Sequence, residues 1–161
     1  MHARAISTLA SADRVAHALP VEWLPIEIDV EVVDTIARAL PRAGFESLIE
    51  DRQRQEMGSA LFKTFIAATG KLFGFTPAMM IRHLGKGWRQ VLQDCGVVEV
   101  AATESRAATV WLRQLPQVCL DSSAWIGALR PGMRMLYELV DSRGDVTVTV
   151  HGRDVQLRFN W

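Results

Sequence analysis

The clearest pattern lies at the carboxyl end. Val146, Val148 and Val150 alternate with Thr147, Thr149 and His151. After His151-Gly152-Arg153-Asp154, the residues Val155, Leu157, Phe159 and Trp161 alternate with Gln156, Arg158 and Asn160. A period of two is that of a strand with one buried face, and a short Gly-containing break between two such runs is that of a hairpin. An earlier pair has the same period. Val98 and Val100 alternate with Val97 and Glu99, and beyond the polar break Thr103-Glu104-Ser105-Arg106 the residues Val110 and Leu112 alternate with Trp111 and Arg113. Pro116 closes that second run, which predicts another hairpin.

Elsewhere the apolar period is helical. Ile6, Leu9, Val15 and Leu19 form a loose stripe over residues 1–18, and the proline-bracketed stretch Pro20–Pro25 reads as an extended connector in which Trp23 plugs a groove. A helix is predicted from Asp29, with Val30, Val33, Ile36, Ala37 and Leu40 on one face, ended by Pro41 and a turn at Gly44. The longest helical stretch is expected from Ser47 to Gly74. Ser47 and Glu50 have capping-box spacing, EDRQRQEMG is charged, and Leu61, Phe65, Ala68 and Leu72 supply an apolar stripe widened by Phe62, Ile66 and Phe73. Thr76-Pro77 reads as an N-cap followed by a first-turn proline. It opens a helix over 77–94 that carries Ile81, Leu84, Trp88, Val91 and Leu92 on one face and Arg82, Lys86 and Arg89 outside it. Asp121-Ser122-Ser123 starts the last helix, with Trp125, Leu129, Leu136 and Val140 aligned and a kink expected at Pro131.

Helices, two strands, a helix and two strands give an α+β class, with helices packed on an antiparallel sheet of about four strands that ends in a C-terminal hairpin. The expected division is an N-terminal helical extension, 1–45, and an α+β domain, 46–161.

Composition narrows the function. The chain has 161 residues, is 49% hydrophobic, and carries 18 basic and 18 acidic side chains. It is long enough for a core and has no global basic field to attract nucleic acid. No apolar run reaches the roughly 20 residues of a membrane span, and the interrupted N-terminus does not read as a secretory signal. The cytoplasm is therefore the expected compartment. Cys95 and Cys119 have no CxxC partner, so two buried thiols are expected rather than a zinc site.

Candidate chemistry is sparse. His83 lies roughly 120° from the centre of its helix's apolar stripe, at about 100° per residue, so it reads as a polar-face histidine rather than a haem or metal ligand. Ser105, Ser122 and Ser123 have no nucleophile elbow, and Ser122 and Ser123 are better read as caps. Glu50-Asp51 does not share a helix face. Gly85-Lys86-Gly87 fits close packing better than phosphate binding, since no phosphate-loop spacing surrounds it. No catalytic residue, metal or cofactor is assigned. The five tryptophans, with Met79, Met80, Met133 and Met135, are the unusual ingredient. Such side chains line apolar pockets and partner surfaces.

The order of these segments carries a resemblance. MGSALFKTFIAATGKLFG looks like a Gly-rich apolar helix, followed by PAMMIRHLGKGWRQVLQDCG, a strand pair ending in VWLRQLP, the helix SSAWIGALRPGMRMLYEL with Gly127 and Gly132, and VQLRFNW closing on Phe159 and Trp161. From about Glu50 to Trp161 the chain resembles a myxobacterial paralogous family of small proteins. More remotely it resembles the superfamily that joins the 4-vinyl reductase-type ligand-binding domain, the haem nitric-oxide-binding domain and the TRAPP vesicle-tethering subunits. The resemblance implies a fold that senses a small molecule or assembles through helices, without catalysis. The haem branch's Tyr-x-Ser-x-Arg motif is missing, the one tyrosine being Tyr137.

The expectation is therefore a non-enzymatic regulatory or scaffold protein that acts through a protein partner, as a homodimer or in a complex, with Arg82, Lys86, Arg89 and Trp23 at the contact. The alternative is a sensor that takes a small hydrophobic ligand among Phe62, Phe65, Met80, Leu84, Trp125 and Met133.

Overall fold

The computed structural model describes residues 9–17, 24–57 and 76–161. Among them, seven helices and four strands run in the order α1 (Ala12–His17), α2 (Ile26–Ala39), α3 (Arg42–Met57), α4 (Pro77–Arg82), α5 (Leu84–Val91), β1 (Val97–Thr103), β2 (Ala107–Arg113), α6 (Gln117–Asp121), α7 (Ser123–Glu138), β3 (Asp145–His151) and β4 (Asp154–Asn160). The class is α+β, with helices on a four-stranded antiparallel sheet and a C-terminal hairpin, as the alternation predicts.

The strands lie in the order β1-β2-β4-β3, so β2 and β4 are central. Val110 sits opposite Leu157, and Val146 opposite Phe159. This register places Ala108, Val110, Leu112, Val146, Val155, Leu157 and Phe159 on one buried face. Their neighbours Trp111, Arg113, Gln156, Arg158, Thr147 and Thr149 occupy the other face. A one-residue slip would exchange the two faces, which is why the pattern fixes the register. Gly152 takes the first of the two turn positions with φ 61°, a conformation that costs glycine nothing.

The helices cover the buried face. Val30 and Val33 of α2, Phe45 and Ile49 of α3, Ile81 and Leu84, Trp88, and Trp125 and Leu129 of α7 join the strand residues in one core. Ala10 and Ser11 hydrogen-bond the Glu31 carboxylate, which ties the start of α1 to α2. Arg54 of α3 reaches Glu138 of α7 at 3.0 Å and also pairs with Asp51.

Several local expectations are corrected. α3 begins at Arg42, so Gly44 lies in its first turn rather than in a separate turn, and Ser47 is inside the helix rather than at its cap. Burial of Phe45 and Ile49, one turn apart, draws the chain into helix earlier than the capping box implies. The 77–94 helix divides at His83, whose φ of −97° and ψ of 0° are not helical. Val91 is 55% exposed, off the face it was assigned to. α7, by contrast, runs from Ser123 to Glu138 without a stop, with Pro131 buried inside it, as the stripe on both sides of the proline implies. The short α6, capped at Pro116, has no counterpart in the periodicity. Trp23, Phe62 and Phe65 lie outside the described residues, as does the 58–75 stretch that carries the last two.

Candidate functional site

The chain places its polar and aromatic interior where α4 and α5 meet α7 and α2. Thr76 caps α4 by accepting a hydrogen bond from the Met79 amide at 3.3 Å, and Pro77 takes the first helical position, where no N–H is needed. At the break, the His83 carbonyl accepts from Lys86 N at 2.9 Å and from Gly87 N at 3.3 Å, which restarts the helix at Leu84. Two glycines in the next three residues weaken the helix there. A Cβ on Gly85 would sit 3.5 Å from the Val98 side chain and carbonyl, so this glycine brings α5 close to β1. Gly87 has no such contact within 4 Å. The close-packing reading therefore holds for Gly85 alone.

Past the break, the buried indole of Trp88 donates from Nε1 to the Cys95 carbonyl at 2.7 Å. Its ring meets Trp125 edge to face, with centroids 6.4 Å apart and planes at 84°. Trp125 donates from its own Nε1 to Asp29 of α2 at 3.0 Å. Its backbone amide bonds Ser122 Oγ at 2.9 Å, and Ser122 in turn donates to Asp34. Ser122 is thus the α7 cap that the sequence implies, and two carboxylates of α2 fix the first turn of α7. The Asp29 and Asp34 roles were not legible, since both residues look like ordinary solvated positions of an amphipathic helix.

Of the expected pocket residues, Leu84 and Trp125 are buried in the common core and Met133 is half-buried against it. Met80 is half-buried on α4, one helical turn before Leu84. Arg82, Lys86 and Arg89 are exposed. Among the described residues none of the three forms an ion pair, whereas Arg54, Arg113, Arg130, Arg134 and Arg158 all do.

Trp111, unlike Trp88 and Trp125, is not in the core. It is half-buried on the sheet face opposite the helices, with the Arg113 guanidinium 4.4 Å above its ring and His151 against its edge at 5.2 Å. Its position in the alternation between Val110 and Leu112 was the available signal.

Other ionisable groups, Cys95, Cys119 and Tyr137 in the interior and Arg130 and Asp145 at the surface, are structural. Cys95 and Cys119 are free and only 1% and 0% exposed. A hydrogen bond with Cys119, added to burial, pushes the Cys95 thiol far above its ordinary range. Burial raises Tyr137 to about 12, while its hydroxyl donates to the Asp145 carbonyl. Arg130 holds the Asp145 carboxyl below its usual range. No cluster of three metal-ligating side chains occurs among the described residues.

Helices on one face of a β1-β2-β4-β3 sheet, with α6 and α7 between the two hairpins, match solved structures. The fold is that of the H-NOX proteins. The Fe(II) unliganded H-NOX protein from K. algicida superposes with a TM-score of 0.59 at 12% identity, over 98% of this chain and 84% of that one. A single-substitution mutant of the same protein gives 0.58 over the same shares. No protein-family model and no curated protein sequence matches the chain.

The neighbour is by name an Fe(II) protein, and the superfamily that the sequence remotely resembles has a haem branch. An axial ligand must be deprotonated or neutral, aimed at the iron, and held by a second partner. The Cys95 thiol hydrogen-bonds Cys119 in the core and resists ionisation. Tyr137 is committed to the β3 backbone. His83 sits half-buried at a helix break, and among the described residues nothing hydrogen-bonds its ring. No buried polar side-chain atom there lacks a partner. The described residues do not fit a haem.

Proposed function

We propose that the chain is a non-enzymatic sensor module. It takes a small apolar ligand beside α4, α5 and the first half of α7, and reports occupancy to a protein partner. The observation that carries this reading is the H-NOX-like fold over nearly the whole chain, because the neighbour of that fold is named for an iron centre in its unliganded state. The fold weighs for a ligand-binding module over a pure scaffold. The kinship with the myxobacterial paralogous proteins, read from the ordered motifs, belongs to the same proposal.

The donor set points away from haem and towards a ligand held by dispersion and shape. Met80, Leu84, Trp125 and Met133 are the residues assigned to it. Thioethers adapt to irregular ligands, and half-buried Met80 and Met133 can yield to an incoming molecule without opening the core. Phe62 and Phe65 remain assigned to the same pocket on sequence grounds. Arg82 ends α4, Lys86 and Arg89 lie on α5 just past the break, and all three are assigned to an acidic partner. A ligand that shifts α4 and α5 together would move that basic face with them, which is the coupling a sensor needs. The module works without catalysis and in the cytoplasm. No helix of the described residues is long and apolar enough to cross a membrane.

Titration with N-phenyl-1-naphthylamine, a neutral apolar fluorophore, tests the site. Saturable binding that is lost in Met80→Trp and Met133→Trp, both folded by circular dichroism, supports the reading. Equal binding by the variants and the parent chain, or no binding, rejects it.

A further inference from the structure

The two edges of the sheet are built differently. β1 carries a register shift between Val100 and Ala102 and an outward Glu99, which are devices that discourage strand addition. β3 carries neither. Its seven residues, DVTVTVH, pair with β4 without a shift, and contain no Gly, Pro or charge between Asp145 and His151. Val150 on this edge is 47% exposed. Among the described residues no strand lies beyond it.

The hairpin decides which groups this edge offers. His151 faces Asp154 across a two-residue turn, so those two form the hydrogen-bonded pair that closes it. Counting back by two, Thr149, Thr147 and Asp145 also direct their amides to β4. Val150, Val148 and Val146 direct theirs outward. The open donors and acceptors are therefore those of Val146, Val148 and Val150.

We infer that β3 is a self-association edge, on which the β3 strand of a second copy of this chain pairs antiparallel, Val148 of each copy opposite Val150 of the other, to give one eight-stranded sheet. The twofold axis then passes through Thr149. This register uses the outward amides and carbonyls of Val148 and Val150 in each chain and leaves Val146 beside the other copy's turn at Gly152. It is self-complementary in side chains, as a twofold interface must be: valine meets valine and Thr149 meets its own copy. It is also complementary in charge. The strand has an acidic start at Asp145, whose carboxylate is 54% exposed even though Arg130 pairs with it at 3.0 Å. It has a basic tip, with His151 and the exposed Arg153. Antiparallel pairing lays each tip beside the other copy's start. The inference is independent of the ligand assignment above.

Light scattering on the full chain across the micromolar range tests it, with three variants. Val150→Lys places a charge on the open edge. Val148→Pro removes an outward amide and no β4 bond, as edge proline allows. Val97→Lys makes the matching change on β1. The inference expects the parent chain and Val97→Lys to run at twice the 17.9 kDa chain mass, and the two β3 variants at the single-chain mass. Circular dichroism establishes that each variant is folded. If Val148→Pro does not fold, Val150→Lys decides alone. A parent chain that stays at 17.9 kDa throughout overturns the inference, as does a dimer that persists in the β3 variants or is broken only by Val97→Lys.

Discussion

Trp88 and Trp125 meet edge to face at 6.4 Å, and each satisfies its indole N–H on a different element, the Cys95 carbonyl before β1 and Asp29 of α2. The pair therefore joins α5, α7, α2 and the entry to the sheet at one point. Each ring's position depends on the other's, because neither hydrogen bond can be kept if its ring rotates to fill a vacated neighbour.

Trp125→Phe should leave the Asp29 carboxylate without its indole donor, and Trp88→Phe should leave the Cys95 carbonyl unpaired. Each loss costs about 1–3 kcal/mol. The two substitutions should not add, with a coupling of about 0.5–1.5 kcal/mol for the ring pair. Urea unfolding of the two single variants and the double variant measures this. Strict additivity would contradict the joint role.

Ser122 serves two partners with one hydroxyl. It accepts from the Trp125 amide and donates to Asp34. Ser122→Ala should cost about 1–2 kcal/mol, towards the upper end for a cap, because it also strands a half-buried carboxylate. Asp34→Asn should recover part of the loss in the Ser122→Ala background, since a neutral amide is cheaper to leave unpaired. Thermal unfolding of the three variants gives the comparison.

Two glycines with positive φ should respond unequally to alanine. Gly96 has φ 70°, and a Cβ there would lie 2.4 Å from the Arg113 carbonyl. Gly152 has φ 61° and nothing within 4 Å. Gly152→Ala should cost only the left-handed backbone term, about 1–2 kcal/mol. Gly96→Ala must add a backbone clash to it and should cost about 3 kcal/mol or more. Similar midpoints for the two variants would contradict the close approach at Gly96.

Alkali should weaken the fold through Cys95. Its folded thiol is pushed up by the Cys119 hydrogen bond and by burial, so the folded chain keeps a proton that the unfolded chain releases. A raised folded value means stability that is complete below the ordinary thiol range and declines as pH climbs beyond about 8.5. Tyr137, raised by burial to about 12, adds a second decline between about pH 10 and 12. Unfolding midpoints measured from pH 7 to 11 should fall in the parent chain. They should fall less steeply in Cys95→Ala above about pH 8.5.

The sheet was legible because a period of two, repeated four times, admits one register per strand. The caps at Thr76 and Ser122 were legible because a hydroxyl three residues before a helical amide has a defined partner. The start of α3 was not. The burial of Phe45 is a tertiary effect, and the local capping signal at Ser47 pointed elsewhere. The break at His83 was hidden because Ile81, Leu84 and Trp88 keep one apolar face across it, and only the two following glycines hint at it. Of the residues assigned to the ligand, the burial of Leu84 and Trp125 in the core was legible in their helical spacing. The carboxylates that anchor Trp125 and Ser122 were not legible, since Asp29 and Asp34 reach them across about 90 residues of chain.

Native mass spectrometry of the full chain purified from its own host tests the central claim most directly. A sensor for a small apolar molecule should carry an additional mass of a few hundred daltons, absent from Met80→Trp and Met133→Trp prepared in the same way. A parent chain of bare polypeptide mass that also gains none when N-phenyl-1-naphthylamine is added would contradict it.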